Sequence, residues 1–322
     1  MKFRNPSYCY LLMSALILFI VLGFSIIDTT PIEFKAVSLG KLLFNEKMLS
    51  KDSSVSCASC HKPEFAFADT AAFSLGINSQ PTLRNTPSVL NMKNRPYFFW
   101  DGRAASLQEQ ALMPIQNPRE MGLPIKDAIH RLNESSFYKN YFQKVYKEYP
   151  NEKNLADAFS AFESTLETVD SKFDDWSNNI KKLTKSEEKG RRIFLSEKAK
   201  CFNCHLQEDF TNDDFKNIGL FDGSVLNDSG RISITHQQKD LGKFKTPGLR
   251  NVAVTAPYMH NGIFKTLEEV VNYYNDPKKI IPNSINIDPD LSKPLGLTSQ
   301  EKKDLVAFLK TLTDKKFISS LH

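Results

Sequence analysis

Two pentapeptides in this chain carry residue types at a spacing suited to one kind of chemistry: Cys57-Ala58-Ser59-Cys60-His61 and Cys201-Phe202-Asn203-Cys204-His205. In a CxxCH unit two thiols a turn apart form thioethers along a porphyrin edge. The residue that follows then presents an imidazole nitrogen to the iron. A bare CxxC pair also suits zinc or dithiol redox chemistry, but here both copies have the His in place. The sequence therefore predicts two covalently bound haem c groups, anchored by Cys57 and Cys60 and by Cys201 and Cys204. His61 and His205 are the expected proximal ligands. The opposite faces decide function, because an iron closed on both sides passes electrons whereas an open face takes up peroxide or oxygen.

The other histidines are weaker candidates. His322 is terminal, His130 lies in a charged helical stretch and His236 in a polar loop; all three read as surface residues. His260, in Ala256-Pro257-Tyr258-Met259-His260-Asn261-Gly262, sits in a loop of the kind that wraps a cofactor. It is either a ligand or, as we favour, a donor behind one.

The elements that must hold these groups are mostly helical. Gly40-Lys41-Leu42-Leu43-Phe44 precedes the first CxxCH and Gly190-Arg191-Arg192-Ile193-Phe194 the second, which is a diverged internal repeat. Each block reads as a short helix whose Phe faces a haem or the local core. Thr298-Ser299-Gln300-Glu301 is a capping box, followed by Leu305, Phe308, Leu309 and Leu312 at the spacing of an amphipathic helix. Thr184 and Glu187 open another helix in the same way, and Leu155 to Leu166 is apolar-periodic. Alternating Val-, Ile- and Thr-rich runs are scarce, so little strand is expected. The Pro-, Gly- and Asn-rich stretches 76–103 and 219–262 read as long loops wrapped over cofactors. The fold class predicted is mainly α: two cytochrome c-like haem domains related by an internal repeat. The boundary falls in the polar stretch Ser177 to Lys185, giving domains 29–180 and 181–322.

At 322 residues, with 41% hydrophobic and 25% charged residues, the chain can bury two ordinary cores. A net charge of +5, dispersed among acidic residues, gives no reason to expect a nucleic-acid partner. Residues 1–28 stand apart. Lys2 and Arg4 precede the apolar run Leu11 to Ile27, which reads as an export signal or a retained N-terminal membrane anchor through residues 11–27. Outside this segment all the cysteines belong to the two CxxCH units, which agrees with a periplasmic protein.

Residues 36–314 resemble the bacterial di-haem cytochrome c peroxidase family. The resemblance rests on Phe99-Trp100-Asp101-Gly102-Arg103-Ala104 followed by Gln110, Pro114-Ile115-Gln116-Asn117-Pro118 and Glu120-Met121. A second signature is Lys245-Thr246-Pro247, Leu249-Arg250-Asn251-Val252 and Thr255 through Gly262. The resemblance implies a peroxidatic N-terminal domain and an electron-transfer C-terminal domain. Glu120 and Gln110 would line the open face of the first haem, a carboxylate to move a proton between peroxide oxygens and an amide to hydrogen-bond the bound oxygen. Trp100 would lie between the haems. Asn85, with the backbone carbonyls of Thr255 and Pro257, matches the family's calcium site, whose oxygen donors suit a hard cation.

Two departures from the family pattern matter. Many members cap the first haem with a His that here falls in Leu75-Gly76-Ile77-Asn78, and Ile77 cannot ligate iron. The first haem is therefore expected to be open without reductive activation. The Met ligand of the second haem falls on Tyr274, in Leu267 through Tyr274; a phenolate lowers the haem potential where Met raises it. This resembles the MauG-like branch of the family. Met259 is the rival ligand. The expected function is reduction of hydrogen peroxide with electrons from a small periplasmic donor such as cytochrome c. The alternatives are a MauG-like peroxide-dependent oxidase of a partner protein and a non-enzymatic di-haem electron carrier. A homodimer is a further expectation.

Overall fold

The computed structural model describes residues 34–206 and 208–320; the expected signal or anchor and His322 lie outside them. Among the described residues no helix is long and apolar enough to cross a membrane. Helices dominate: α1 (Ala36–Phe44), α2 (Leu107–Gln116), α3 (Ile125–Glu134), α4 (Ser136–Tyr146), α5 (Glu152–Glu163), α6 (Lys172–Ser177), α7 (Lys185–Phe194), α8 (Leu267–Asn275) and α9 (Ser299–Lys310). The sheet is one antiparallel pair, β1 (Phe215–Lys216) and β2 (Phe244–Lys245), with Phe215 opposite Lys245. Mainly helical structure with little strand is what the sequence predicts.

Capping explains where the helices begin. Thr184, Thr298 and Thr266 each accept the backbone N–H three residues on, while Glu187, Glu301 and Glu269 bond back to the cap. Asn151 and Asn154 do the same for α5. These helices then bury one stripe each, in two separate cores. The first gathers Leu39, Leu43, Phe44, Ile115, Phe159 and Phe162; the second gathers Phe194, Leu305, Val306, Phe308 and Leu309.

The two cores are built alike. α1 crosses α5 so closely that a Cβ on Gly40 would lie 1.9 Å from the Ala158 carbonyl oxygen and 2.7 Å from Phe162 Cβ. α7 crosses α9 in the same manner: a Cβ on Gly190 would lie 1.9 Å from the Asp304 carbonyl oxygen and 2.8 Å from Phe308 Cβ. Only glycine allows either approach. At the end of each GxxxF block, Phe44 meets Phe162 and Phe194 meets Phe308, both at 5.3 Å between ring centroids. The repeat read from sequence is thus a repeat of helix crossings. It equates Ala158 with Asp304, Phe162 with Phe308, and Glu163 with Leu309.

Packing assigns α6 to the second half although it precedes residue 180. Phe173 packs in the second core, and Arg250 grips Asp174 through its two terminal guanidinium nitrogens at 2.9 and 3.0 Å.

Candidate haem sites

Cys57–Cys60 forms a single helical turn, fixed by Ser56 N–H donating to Ser59 Oγ at 2.9 Å. Cys57, Cys60, Cys201 and Cys204 are in no disulfide. Burial pushes the thiols of Cys60 and Cys204 up to about 11 and that of Cys201 up to about 12, and raises Cys57 as well.

The imidazoles are prepared for iron. His61 Nδ1 lies 3.1 Å from the Phe67 carbonyl oxygen and His205 Nδ1 2.8 Å from that of Phe210. A carbonyl only accepts, so in each ring Nδ1 carries the proton and Nε2 keeps its lone pair, as a proximal ligand requires. Burial keeps both rings neutral, lowering His205 to about 4. Cysteines and tautomers thus fit a haem at each motif.

The end of α2 carries the other residues expected at the first site. Gln110 is part-buried on this helix. Beyond it the chain folds back: Glu120 N–H donates to the Asn117 carbonyl at 2.9 Å, Met121 N–H to Pro114 at 3.2 Å and Leu123 N–H to Ile115 at 2.7 Å. This turn presents Glu120, whose Oε1 accepts a 2.6 Å hydrogen bond from Asn117 Nδ2. Burial raises the Glu120 carboxyl above its ordinary range, against the opposing pull of Arg103 and Asn117. Its charge is felt at both Cys57 and Cys60, so it lies beside the first attachment point. Ile77 is next to it: its N–H donates to the Glu120 carbonyl at 2.8 Å, and its buried side chain lies against Gly122.

The second site is a cavity of about 300 Å³ whose walls include Cys201, Cys204, His205, Tyr274 and Leu309. Adjacent tyrosines on α8 play different parts. Tyr273 is fully buried and its hydroxyl donates to the Ile218 carbonyl at 2.6 Å. Tyr274 lines the cavity, and among the described residues its hydroxyl has no hydrogen-bond partner. Burial raises its phenol, with the nearby Cys204 and Cys201 in the same sense; a bound ferric ion would reverse that bias. Met259 also lines the cavity while packing beside Phe264 and Tyr273.

Trp100 stands where the two halves meet. Its Nε1 donates to the Asn85 carbonyl at 2.8 Å, its own carbonyl accepts Lys245 N–H at 2.7 Å, and its ring lines the second cavity. His260 lies edge-on to it at 6.4 Å and stacks on Phe244 at 3.7 Å. Burial lowers His260 to about 4. His130 and His236 are exposed. Asn85, Thr255 and Pro257 line one cavity; the Asn85 amide donates to the Ala71 and Ala72 carbonyls at 3.2 and 3.3 Å.

Sequence reasoning missed the charge lattice across this seam. Arg84 bonds Asp101 at 2.6 Å and Asp228 at 2.7 and 2.8 Å, while Arg95 joins Asp213 at 3.0 Å and also pairs with Asp209. Except for Arg84 and Asp101, these partners are separated by over a hundred residues, and no spacing rule links them. Glu163 was missed too, although it follows Leu155, Phe159 and Phe162 on the buried stripe of α5, where an acid is out of place.

Residues 34–182 match the model of the di-haem cytochrome c peroxidase family and residues 187–313 that of cytochrome c. The chain is 35% identical to the methylamine utilization protein MauG of Methylorubrum extorquens, over 88% of this chain and 79% of the relative. It is 33% identical to cytochrome c551 peroxidase of Nitrosomonas europaea, over 88% and 81%. Cytochrome c peroxidase Ccp of Escherichia coli is 37% identical over 75% of this chain and 53% of its own length. A solved MauG-like protein associated with microbial copper homeostasis superposes with a TM-score of 0.77 at 33% identity, covering 89% of this chain and 92% of that one. The di-haem peroxidase BthA of Burkholderia thailandensis shares the fold, with a TM-score of 0.80 at 24% identity over 88% and 87%.

Proposed function

Because the chain belongs to the di-haem cytochrome c peroxidase family and carries two haem c groups, we propose that it reduces hydrogen peroxide to water at the His61 haem. The observation that carries this reading is the asymmetry of the two sites. Glu120 and the apolar Ile77 stand beside the first, and a tyrosine with a free hydroxyl faces into the second. When bound, the haem supplies the two-electron chemistry that cleaves the O–O bond. Glu120 would take a proton from one oxygen of hydrogen peroxide and return it to the oxygen that departs as water. Asn117 holds that carboxylate in place, and burial makes it a stronger base than a solvated one. Gln110 would offer its amide N–H to hydrogen peroxide as a hydrogen-bond donor. Two electrons and two protons per peroxide yield two waters, the electrons coming from a small cytochrome c or similar periplasmic donor. Trp100, which lines the second cavity, would carry electrons between the haems.

Resting ferric EPR tests the reading. One high-spin and one low-spin signal, with the high-spin signal lost on adding peroxide, is expected. Two low-spin signals indifferent to peroxide would reject it in favour of an electron carrier.

A second reading, oxidation of a partner protein, is favoured by Tyr274. As a ligand opposite His205, its phenolate would lower the second haem's potential and hold oxidising equivalents for a side chain outside the molecule. Tyr274→Phe should change the low-spin spectrum of that haem; an unchanged spectrum would pass the ligand role to Met259. We further assign a calcium ion to Asn85 and the carbonyls of Thr255 and Pro257, supported by their shared cavity. Treatment with a chelator should then alter the EPR of both haems.

A further inference from the structure

Glu163, the last residue of α5, is 4% exposed, and its Oε2 is fully enclosed without a hydrogen-bond partner. It is also beside the first haem attachment. The preceding residue, Phe162, packs on Phe44, whose ring lies 6.3 Å from that of His61. Its charge is the largest acting on Cys57. The internal repeat locates it further. The matched helix crossings equate Glu163 with Leu309, and Leu309 lines the cavity of the second haem. One quasi-equivalent position therefore holds a leucine at one haem and an acid at the other.

The acid has no structural duty. The helices packed against α5 bring apolar residues to its buried face: Leu39 and Leu43 from α1, Leu112 and Ile115 from α2, and Ala128 and Leu132 from α3. The ionisable groups of these and neighbouring elements are engaged elsewhere. Glu46 accepts the Tyr138 hydroxyl, and Arg131 donates to the carbonyls of Met48, Ser50 and Lys51. Asp69 holds Lys62, Glu120 holds Asn117, Asp157 acts on Tyr146, and Lys41 and His130 are exposed. Burial alone pushes the Glu163 carboxyl up to about 8. A buried acid that stabilises nothing, at a position where the sister domain has leucine, is the signature of a site kept for its titration.

We propose that Glu163 is the proton acceptor coupled to reduction of the haem held by Cys57, Cys60 and His61, its carboxylate taking one proton from solvent as that haem gains one electron from the outside donor. The balance is one electron to iron and one proton to Glu163, so the buried charge beside the porphyrin is unchanged overall. The coupling is electrostatic: ferric iron favours the carboxylate, and ferrous iron the neutral acid. Leu309 leaves the second haem without such a partner. The proposal rests on haem attachment at Cys57 and not on peroxide chemistry, so it stands or falls separately from the peroxidase reading.

Spectroelectrochemical titration of the holoprotein between about pH 6 and 9 tests it. The midpoint potential of the His61 haem should fall with pH, its redox equilibrium changing by up to tenfold per pH unit, or about 59 mV for one electron. Glu163→Gln and Glu163→Leu, the latter copying Leu309, should flatten that slope, and Glu120→Gln should keep it. The same slope in the Glu163 variants, or its loss in Glu120→Gln alone, would overturn the proposal. Should either Glu163 variant fail to retain haem, the redox-induced infrared difference spectrum of Glu120→Gln decides. Reduction must produce a deuterium-sensitive protonated-carboxyl band, and its absence overturns the assignment.

Discussion

The two haem-bearing halves share a frame and differ in what they aim at the iron. In both, a glycine lets two helices meet at the same distance, a phenylalanine pair closes the crossing at 5.3 Å, and a backbone carbonyl orients the proximal imidazole. The departures gather where a sixth ligand or a substrate would sit: Glu120 and Ile77 in one half, Tyr274 in the other. Glu163 and Leu309 differ at the matched helix ends. Duplication kept the parts that hold a porphyrin, and the two copies diverged in the few side chains that decide what its iron does.

The largest expected effect falls on the first half alone. Glu120→Gln keeps the shape of the turn and the bond to Asn117 but removes the base. The second-order reaction with peroxide, followed by stopped-flow absorbance, should slow by about 10²–10⁴-fold, with both haems attached and the second haem's spectrum unchanged. An equal loss from an amide substitution elsewhere on α2, or none from this one, would erase the functional contrast between the halves.

The next effect is thermodynamic and again one-sided. The folded-state pKa of Glu163 is raised, to about 8 from an ordinary 4.5, by burial. Between these values the folded protein binds more protons than the unfolded chain, so stability falls as pH rises. The slope is about 1.4 kcal/mol per pH unit between about pH 5 and 8, with full stability below it. Denaturant titrations of Glu163→Leu should lack that slope, and the variant should be more stable than the wild type by about 4 kcal/mol near pH 8. Parallel pH profiles of the two proteins would mean that the acid finds a partner in solution.

Gly40→Ala and Gly190→Ala probe what the halves have in common. Each added methyl meets a backbone carbonyl at 1.9 Å, which no rotamer change can relieve, so the helices must separate. Each substitution should cost about 3 kcal/mol in chemical denaturation, at the upper end for overpacking. Costs that differ by more than the scatter of such measurements would show that the cores are matched in geometry but not in rigidity.

How much of this was legible beforehand follows the same division. CxxCH, the GxxxF blocks and the capping boxes are local: their residues sit within a turn or two of one another, and the structure places helices where they predict. Phe44 and Phe194 do face buried positions. The seam between the halves was not legible, because Arg84 and Asp228, or Arg95 and Asp213, meet only after the long loops close. α6 joining the second core was hidden for the same reason, since Phe173 and Arg250 find their partners across the chain. Glu163 lies between these cases. Its place on an apolar stripe was readable, whereas its neighbour Cys57 was not.

The smallest predicted effect is the most symmetrical. Asn151 and Thr298 cap the equivalent helices α5 and α9, each accepting the backbone N–H three residues on. Replacing either by Ala frees one backbone donor that water can still reach in part, which costs about 1 kcal/mol. Thr298 has an added tie, because Glu301 of its capping box is held by Lys198 at 2.7 Å across to the segment before Cys201. That ion pair is exposed and adds little. Thermal denaturation should therefore rank Asn151→Ala and Thr298→Ala within a few tenths of a kcal/mol of each other. A markedly larger loss at Thr298 would mean that the Lys198–Glu301 tie also helps to clamp the second haem's attachment turn.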